Sequence, residues 1–328
     1  MPYEDGFCRP ITYLRVSVTD RCNLRCVYCM PPEGVARIPH EQILRYEEIV
    51  RVAEAALDLG MTRIRLTGGE PLVRMGLPRL VEMLASLPGL EDLSMTTNGV
   101  LLARFAEELR QAGLHRVNVS LDTLDPARYR RITRWGELRQ VLEGIEAAQR
   151  AGLAPLKINA VILRGTNDDE LPQFAQRTQE EDWNVRFIEV MPFEHEALDW
   201  EQVYISAAEM RARIESALGP LIPVDGVRGN GPSRYYRLPG AAGTVGFISP
   251  VSEHFCAQCN RMRLTADGHL RPCLLSDLEV DLRPALRRGA SRAELCDLLA
   301  QAIQAKPEGH HLAAACGPSR RSMSQIGG

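Results

Sequence analysis

The sequence predicts an α/β fold: an incomplete (βα)6 TIM-like barrel with a smaller, mainly β C-terminal region that closes its open side. Short β-branched runs alternate with amphipathic helical patterns over roughly the first 220 residues, which indicates right-handed βαβ units and a parallel sheet. Six units are too few for the eight of a complete TIM barrel, so the options are an open partial barrel or a doubly wound sheet. We expect two domains, residues 1–220 and 221–328.

Six apolar runs are the predicted strands of the first domain. In chain order they occupy residues 13–19, 63–69, 93–99, 116–122, 156–163 and 185–192. Helical patterns separate them. In the first of these helices Ile49, Val52 and Ala56 fall on one face, and Gly60 stands where a left-handed cap is needed.

The second predicted domain begins where the alternation stops. Residues 219–255 are rich in glycine and proline and contain the strand-like pieces 234–238 and 243–249. A helix over 292–303 and a polar tail follow. This region is therefore expected to be small and mainly β.

The composition is that of an ordinary globular protein of the cytosol. Hydrophobic residues make up 45% of the chain and charged residues 25%. The net charge of −3 predicts no nucleic-acid and no membrane affinity for the molecule as a whole. The N-terminus is no signal peptide and no apolar run spans a membrane, so we expect a cytoplasmic location. In that reducing compartment, nine cysteines indicate metal or catalytic roles.

The first group of cysteines follows the first predicted strand. Cys22, Cys26 and Cys29 are spaced Cys-x3-Cys-x2-Cys. Three thiolates in one loop can hold three irons of a [4Fe–4S] cluster, and the fourth iron then stays open, as a catalytic metal site requires. The amine and carboxylate of S-adenosylmethionine (SAM) could chelate that iron, and an electron could cleave the sulfonium to leave a carbon radical.

A second group of three cysteines lies in the C-terminal region. Cys256, Cys259 and Cys273 could hold a second cluster whose open iron binds a substrate. Between them Arg261 and Arg263 alternate as on a strand, which places both on one face. Arginine forks bind phosphate oxygens well.

Zinc is the alternative metal that these cysteines could bind. The two Cys-x2-Cys pairs, 26–29 and 256–259, would together form a four-thiolate zinc site. That interpretation leaves Cys22 and Cys273 without a role.

Polar residues recur at the carboxyl ends of the predicted strands. They stand at 67–71 (TGGEP), 96–99 (TTNG) and 120–122 (SLD), and the segment 190–192 (VMP) occupies the same place on the sixth strand. The carboxyl ends of parallel strands meet at one edge, so these residues predict a single site. Four cations on the same strands, Arg15, Arg65, Lys157 and Arg186, indicate a buried polyanion such as a nucleoside triphosphate.

The cysteine loop, with Tyr28 before its last cysteine, resembles the radical SAM superfamily. Within that superfamily the chain is similar to the GTP 3',8-cyclases of molybdenum cofactor biosynthesis. The pieces that carry this resemblance are YLRVSVTDRCNLRCVYCMP, RIRLTGGEPLVR, TTNG, VNVSLDTL, RFIEVMPF, CAQCNRMRLTADGHLRPCL and the terminal GG. One departure is Arg63, where the family often has lysine; phosphate binding should survive because both are cationic.

The resemblance implies a role for each matching residue. Residues that would bind SAM are Tyr28, Gly69, Glu70, Ser120 and Met191. Residues that would bind GTP are Arg15, Arg65, Thr96, Lys157, Arg186, Arg261, Met262 and Arg263. The cluster ligands would be Cys22, Cys26 and Cys29 for the SAM cluster, and Cys256, Cys259 and Cys273 for the auxiliary one. Catalytic roles would fall to Arg261, Arg263, Gly327 and Gly328, with the two glycines threaded into the active site.

The reaction implied by the resemblance is a radical cyclisation of GTP. A 5'-deoxyadenosyl radical removes hydrogen from C3' of GTP, the carbon radical attacks C8, and one electron and a proton complete (8S)-3',8-cyclo-7,8-dihydroguanosine 5'-triphosphate. Implied partners are an electron donor of the flavodoxin or ferredoxin type, the cyclic pyranopterin monophosphate synthase that acts next, and a second copy in a homodimer. The alternative is another radical SAM enzyme with an auxiliary iron–sulfur cluster.

Five further residues are given no role in the site. Cys296, among leucines in the last helical pattern, is expected to be a small core residue. His310 and His311 are expected at the surface. No ligand role is assigned to Cys8 or Cys316.

Overall fold

The computed structural model describes residues 2–192, 199–227, 229–310 and 321–327, and these form one twelve-stranded sheet with helices. The strands are β1 (Tyr13–Ser17), β2 (Arg63–Thr67), β3 (Asp92–Thr97), β4 (Arg116–Ser120), β5 (Lys157–Ile162), β6 (Asn184–Glu189), β7 (Ile222–Val224), β8 (Arg234–Arg237), β9 (Thr244–Ile248), β10 (Arg261–Leu264), β11 (His269–Arg271) and β12 (Val280–Asp281). All six strands predicted for the first domain are present as β1 to β6.

The helices follow the strands as the alternation predicted. They are α1 (Tyr46–Asp58), α2 (Leu77–Ala85), α3 (Leu102–Gln111), α4 (Pro126–Thr133), α5 (Leu138–Arg150), α6 (Leu171–Glu180), α7 (Trp200–Val203), α8 (Ala207–Leu218), α9 (Arg283–Arg287), α10 (Arg292–Gln304) and α11 (Met323–Ile326). Gly60 closes α1 with a φ of +84°, the left-handed conformation expected there. Within the described ranges, no helix has both the length and the apolar character needed to cross a membrane.

Eight neighbouring strands run parallel, in the order β10-β1-β2-β3-β4-β5-β6-β9. Strands β1 to β6 stand in sequential order, as in a barrel, whereas a doubly wound sheet reverses its order at a switch point. The partial-barrel prediction is confirmed. The sequence predicted strands at β9 and β10 but not their parallel pairing with β6 and β1 of the barrel. Strands β7–β8 and β11–β12 extend the sheet antiparallel beyond them.

The sheet separates an apolar layer from a polar interior. On β1, Leu14 and Val16 are buried in the hydrophobic core, and Arg15 between them lines an interior cavity. Strand β2 repeats this alternation around Arg65. Because side chains of a strand alternate between its two faces, one face packs under the helices and the other carries the chemistry.

Candidate active site

Both cysteine triads line one cavity of about 340 Å³ inside the barrel. Its wall contains the six thiols of Cys22, Cys26, Cys29, Cys256, Cys259 and Cys273. Residues that the sequence analysis assigned to SAM or GTP also line it, namely Arg15, Tyr28, Arg65, Gly69, Glu70, Thr96, Ser120, Arg186, Met191, Arg261 and Arg263. The structure therefore brings together two groups of cysteines that stand more than 220 residues apart in the chain.

The first triad lies in the loop after β1. The Sγ of Cys22 accepts hydrogen bonds from the Leu24 backbone at 3.4 Å and from Asn98 Nδ2 at 3.8 Å. Burial, together with neighbouring negative groups, raises the pKa of Cys22 to about 11 and that of Cys29 to about 12, and raises the pKa of Cys26 as well. At neutral pH these thiols keep their protons, and they lose them when the sulfur binds a metal cation, as in an iron–sulfur cluster.

Two glycines bring the end of β2 against this loop. The Gly69 N–H donates to Thr19 O at 2.8 Å, and the Glu70 N–H donates to Arg21 O at 2.8 Å. A Cβ at Gly68, whose φ is +149°, would lie 2.5 Å from Thr19 O, and a Cβ at Gly69 would collide with Arg21 O. The lack of a side chain at both positions lets the backbone approach the cysteine loop.

Buried carboxyl groups stand beside the first triad. Glu70 accepts hydrogen bonds from Thr97 Oγ1 at 2.7 Å and from the Asn98 backbone at 2.7 Å, and burial raises its pKa to about 7. Asp122 accepts from the Tyr28 hydroxyl at 2.6 Å, and burial raises its pKa to about 6. Asp122 has no assigned role in the sequence analysis, and its only signal there was its position at the end of a predicted strand.

The second triad has the opposite electrostatic surroundings. Burial alone would raise the pKa of Cys259, but the Arg261 guanidinium and the Lys306 ammonium lower it to about 6. A thiolate is thus available at neutral pH, which suits metal binding. The Arg261 guanidinium also stacks on the Phe255 ring at 4.9 Å, which holds it near the mouth of the triad.

The cations of the barrel strands are buried and crowd one another. Burial and neighbouring arginines lower the pKa of Arg65 and of Arg263 to about 10 each, and that of Lys157 to about 6. Among the described residues, Nη2 of Arg65 and both Nε and Nη2 of Arg186 are buried without a hydrogen-bond acceptor. Orphaned buried donors are costly, so these residues fit a polyanionic ligand.

Two residues assigned to GTP do not line the cavity. Met262, between Arg261 and Arg263 on β10, is fully buried in the hydrophobic core, because alternate residues of a strand face opposite ways. Lys157 begins β5, and its ammonium lies next to Gly229 and 5.3 Å from the centroid of the Tyr235 ring. Side-chain contact with a ligand in the cavity is therefore unavailable to Met262, although its backbone stands beside the wall.

The C-terminal segment docks at the same wall. Arg321 pairs with Asp267 at 3.0 Å and with Glu279 at 2.7 Å, and the short helix α11 follows. Arg263 Nη1 donates to the Gly327 carbonyl at 2.8 Å. Gly327 has a φ of +79°, and a Cβ there would lie 2.5 Å from Thr67 Oγ1. Only glycine fits this position. Gly328 lies outside the described residues.

His310 is partly buried at the edge of the cavity. Its Nε2 lies 3.2 Å from Nδ1 of His254, a contact that the sequence analysis did not foresee. The preceding Gly309 packs against Cys256, which carries the chain inward to the second triad. His311 and Cys316 fall outside the described residues. Cys296, in α10, packs partly buried against the hydrophobic core, as predicted.

The arrangement of donors does not suit a single zinc ion. In the part of the chain that the structure describes, no three His, Cys, Asp or Glu side chains form a group that could hold one metal ion. A cubane cluster instead takes one thiolate at each of three separate irons, which spaces the sulfurs apart. Among the described residues, the two Cys-x2-Cys pairs are therefore not assembled into a four-thiolate zinc site.

Comparison with known proteins agrees with this geometry. Residues 16–178 match the Radical SAM superfamily, and residues 183–312 match the family described as Molybdenum Cofactor Synthesis C. Among solved structures, Streptococcus suis SuiB bound to S-adenosylmethionine has a TM-score of 0.62 at 14% identity and covers 96% of this chain and 72% of its own. Tagged anSMEcpe with bound AdoMet has a TM-score of 0.50 at 18% identity and covers 64% and 58%. At such identities these structures establish the fold alone.

Curated relatives are far more similar. A GTP 3',8-cyclase of Pelotomaculum thermopropionicum is 53% identical over 99% of this chain and 100% of its own length. A GTP 3',8-cyclase of Thermodesulfovibrio yellowstonii is 50% identical over the same shares. The chain therefore belongs to the GTP 3',8-cyclase family of the radical SAM superfamily.

Proposed function

We propose that this protein converts GTP to (8S)-3',8-cyclo-7,8-dihydroguanosine 5'-triphosphate in molybdenum cofactor biosynthesis. The observation that carries this proposal is the meeting of two cysteine triads and a cationic wall at one cavity. Each triad leaves one corner of a cubane cluster open, and the cations between them suit a triphosphate. The names of the curated relatives supply the identity of the nucleotide.

The first triad is the proposed site of the SAM-binding cluster. Cys22, Cys26 and Cys29 would hold three irons, and the fourth would bind the amine and carboxylate of SAM. With cluster and SAM bound, the site would supply one-electron chemistry that ends in removal of a hydrogen atom from C3' of the nucleotide. Tyr28, Gly69, Glu70, Ser120 and Met191 line this end of the cavity and are the proposed SAM contacts.

GTP is proposed to lie between the two triads. Arg65 and Arg186 have buried N–H groups without acceptors, which the phosphate oxygens would satisfy. The remaining contacts would come from Arg15, Thr96, Arg261 and Arg263, and from the backbone of Met262. Lys157, which is not part of the cavity wall, would act on the phosphates through its charge. These residues would hold the substrate so that its C3' faces SAM and its C8 faces C3', and the surrounding sheet would limit the access of water.

The second triad is the proposed site of an auxiliary [4Fe–4S] cluster. Cys256, Cys259 and Cys273 are the proposed ligands, and the open iron would bind the guanine base. Arg261 and Arg263 project from the strand between them and reach the same wall. Binding the base at one end and the phosphates in the middle would fix the ribose in one orientation.

The C-terminal glycines are proposed to complete the catalytic site. Arg263 binds the Gly327 carbonyl, so the tail and the arginine strand form one wall. Gly328 follows Gly327 in the chain and is proposed to share its role. Together with Arg261 and Arg263, the two glycines would exclude water from the reacting carbons.

The proposed partners follow from the reaction. An electron donor of the flavodoxin or ferredoxin type would reduce the clusters, and the cyclic pyranopterin monophosphate synthase would take the product. We also propose a homodimer in the cytoplasm, where thiols stay reduced.

The decisive experiment offers the enzyme a choice of nucleotide. Anaerobic protein with SAM and a reductant is incubated with each of the four nucleoside triphosphates, and 5'-deoxyadenosine and nucleotide products are followed. We expect GTP alone to yield a cyclised product together with 5'-deoxyadenosine. Cleavage of SAM that no nucleotide stimulates would favour the alternative, another radical SAM enzyme with an auxiliary cluster.

A further inference from the structure

A buried lysine stands beneath the second triad. Only 4% of the surface of Lys306 is exposed. Its Nζ donates to the backbone carbonyl of Arg261 at 2.9 Å and to that of Pro272. Pro272 precedes Cys273, and Arg261 is two residues beyond Cys259, so one ammonium ties together the two segments that bear these cysteines.

The third donor of Lys306 faces a thiol. The Lys306 ammonium also forms a hydrogen bond with the side chain of Cys259. The three N–H donors of the ammonium thus each have an acceptor: two carbonyl oxygens and one sulfur. A tetrahedral ammonium can serve three such acceptors around one nitrogen, whereas the planar guanidinium of an arginine cannot.

The choice of lysine at this position stands out in the composition. The chain has 39 lysines and arginines, and Lys157 and Lys306 are its only lysines. Every surface cation is therefore an arginine, while both lysines are buried. Lysine occurs in this chain only where a compact ammonium fills an interior position.

The segment that carries Lys306 is fixed by a second buried cation. Arg9 forms a buried ion pair with Asp5 at 2.7 Å. Its guanidinium donates to the carbonyls of Pro307 and Glu308 at 2.6 and 2.7 Å, and to that of Cys256 at 2.8 Å. The N-terminal turn therefore holds the chain just after Lys306 against the first cysteine of the second triad.

We propose that Lys306 is a positioning residue for the second cluster: it aligns the segments of Cys259 and Cys273 and makes the cluster easier to reduce. This inference rests on the proposed presence of a cluster at the second triad. Reduction adds one negative charge to a cluster that three thiolates already make anionic. A fixed positive charge in a poorly solvated site stabilises the reduced state, because Coulomb interactions are weakly screened there.

The test removes the charge and keeps the shape. Lys306→Met is compared with the parent protein and with Arg51→Met, a matched control in which Arg51 also donates to two carbonyls, of Leu286 and Ala290, outside the cavity. Iron and sulfide are counted in each reconstituted full-length protein. The midpoint potential of each cluster is then measured by EPR-monitored titration, with the second cluster identified as the signal that survives replacement of the first triad.

The expected result is specific to the second cluster. In Lys306→Met its reduction becomes at least tenfold less favourable, which is about 59 mV for a one-electron couple, while the first cluster is unchanged. Loss of four irons in this variant, with all irons kept in Arg51→Met, would also support the positioning role. An intact second cluster with the parental potential, or an equal shift in both variants, would overturn the inference. About four irons in the parent protein would instead overturn the proposed second cluster itself.

Discussion

The barrel interior changes the protonation of Lys157. Burial, followed by the charges of Arg186, Arg116 and Arg65, lowers its pKa to about 6. A bound triphosphate would reverse this effect, because phosphate charge favours the ammonium form. Between pH 6 and the raised pKa that Lys157 has in the complex, Lys157 is protonated when GTP is bound and neutral when the site is empty. GTP binding therefore takes up a proton in this range, and the affinity falls as the pH rises.

This linkage predicts a pH dependence that belongs to Lys157. We expect GTP affinity to fall from pH 6.5 to 8.5 by up to about tenfold per pH unit, and Lys157→Met to bind more weakly with a shallower slope. Calorimetry in two buffers of different ionisation enthalpy measures the proton uptake directly. The ionisation of GTP itself is common to both proteins. Equal slopes and equal proton uptake in the two proteins would contradict the assignment.

Arg261 and Arg263 provide a second test at the scale of single residues. Replacing either by alanine should weaken GTP binding by roughly 10- to 100-fold, since hydrogen bonds to charged groups contribute about 1.5–3 kcal/mol, and should abolish detectable cyclisation. SAM binding should survive, because the first triad lies at the opposite end of the cavity. Arg292→Ala, at an exposed arginine paired with Asp58, is the control. Equal loss of GTP and SAM affinity would count against this role.

Sequence alone predicted most of the polar residues that line the cavity but missed two that are placed by distant contacts. The cysteine spacing predicted both triads, and the alternation on β10 predicted that Arg261 and Arg263 share a wall. Asp122 and His310 were not recognised, because their partners Tyr28 and His254 stand 94 and 56 residues away. Those contacts depend on how β4 and the last loop pack, which no local pattern records.

At the scale of single elements, local patterns predicted the barrel strands but not how the C-terminal strands join them. Strands β1 to β6 were predictable because each run of the β period is followed by a helix of the 3.6-residue period. Strands β9 and β10 were not predicted as parallel neighbours, since β10 pairs with β1 across about 250 residues of chain. Met262 shows the limit of transferring roles residue by residue: the strand period that exposes Arg261 and Arg263 to the cavity buries the side chain between them.

Substitution of Gly327 tests the role of the C-terminal tail. Gly327→Ala adds a Cβ that would meet Thr67 and Ser17 at a φ of +79°, so we expect the tail to leave the wall and product formation to fall sharply with both clusters retained. Deleting Gly327 and Gly328 should have the same effect. Gly289→Ala is a matched control, since φ is +81° there but the added Cβ meets nothing within 4 Å.

Product formation and iron content are measured for all three proteins. Gly289→Ala is expected to keep its activity. Its free energy of unfolding should fall by only roughly 1–2 kcal/mol, the strain of an alanine in the left-handed conformation. Full activity in the protein that lacks both glycines would refute a catalytic role of the tail.

At the scale of the whole molecule, the C-terminal region does more than add a domain beside the barrel. Its strands border β1 on one side and β6 on the other, and it brings the second triad, Arg261 and Arg263, and the tail to the interior that the first triad already faces. The N-terminal turn contributes Arg9, which binds the Cys256 carbonyl. The site is therefore assembled from both termini and the barrel.

The most direct measurement of this account is the iron and sulfide content of the intact chain and of two triad variants. We predict about eight irons and eight sulfides per chain, and about four of each when Cys22, Cys26 and Cys29, or alternatively Cys256, Cys259 and Cys273, are replaced by alanine. Each variant should keep the EPR signal of the other cluster. A colourless protein with one zinc per chain, or the loss of all iron from only one of the two variants, would contradict two independent open clusters.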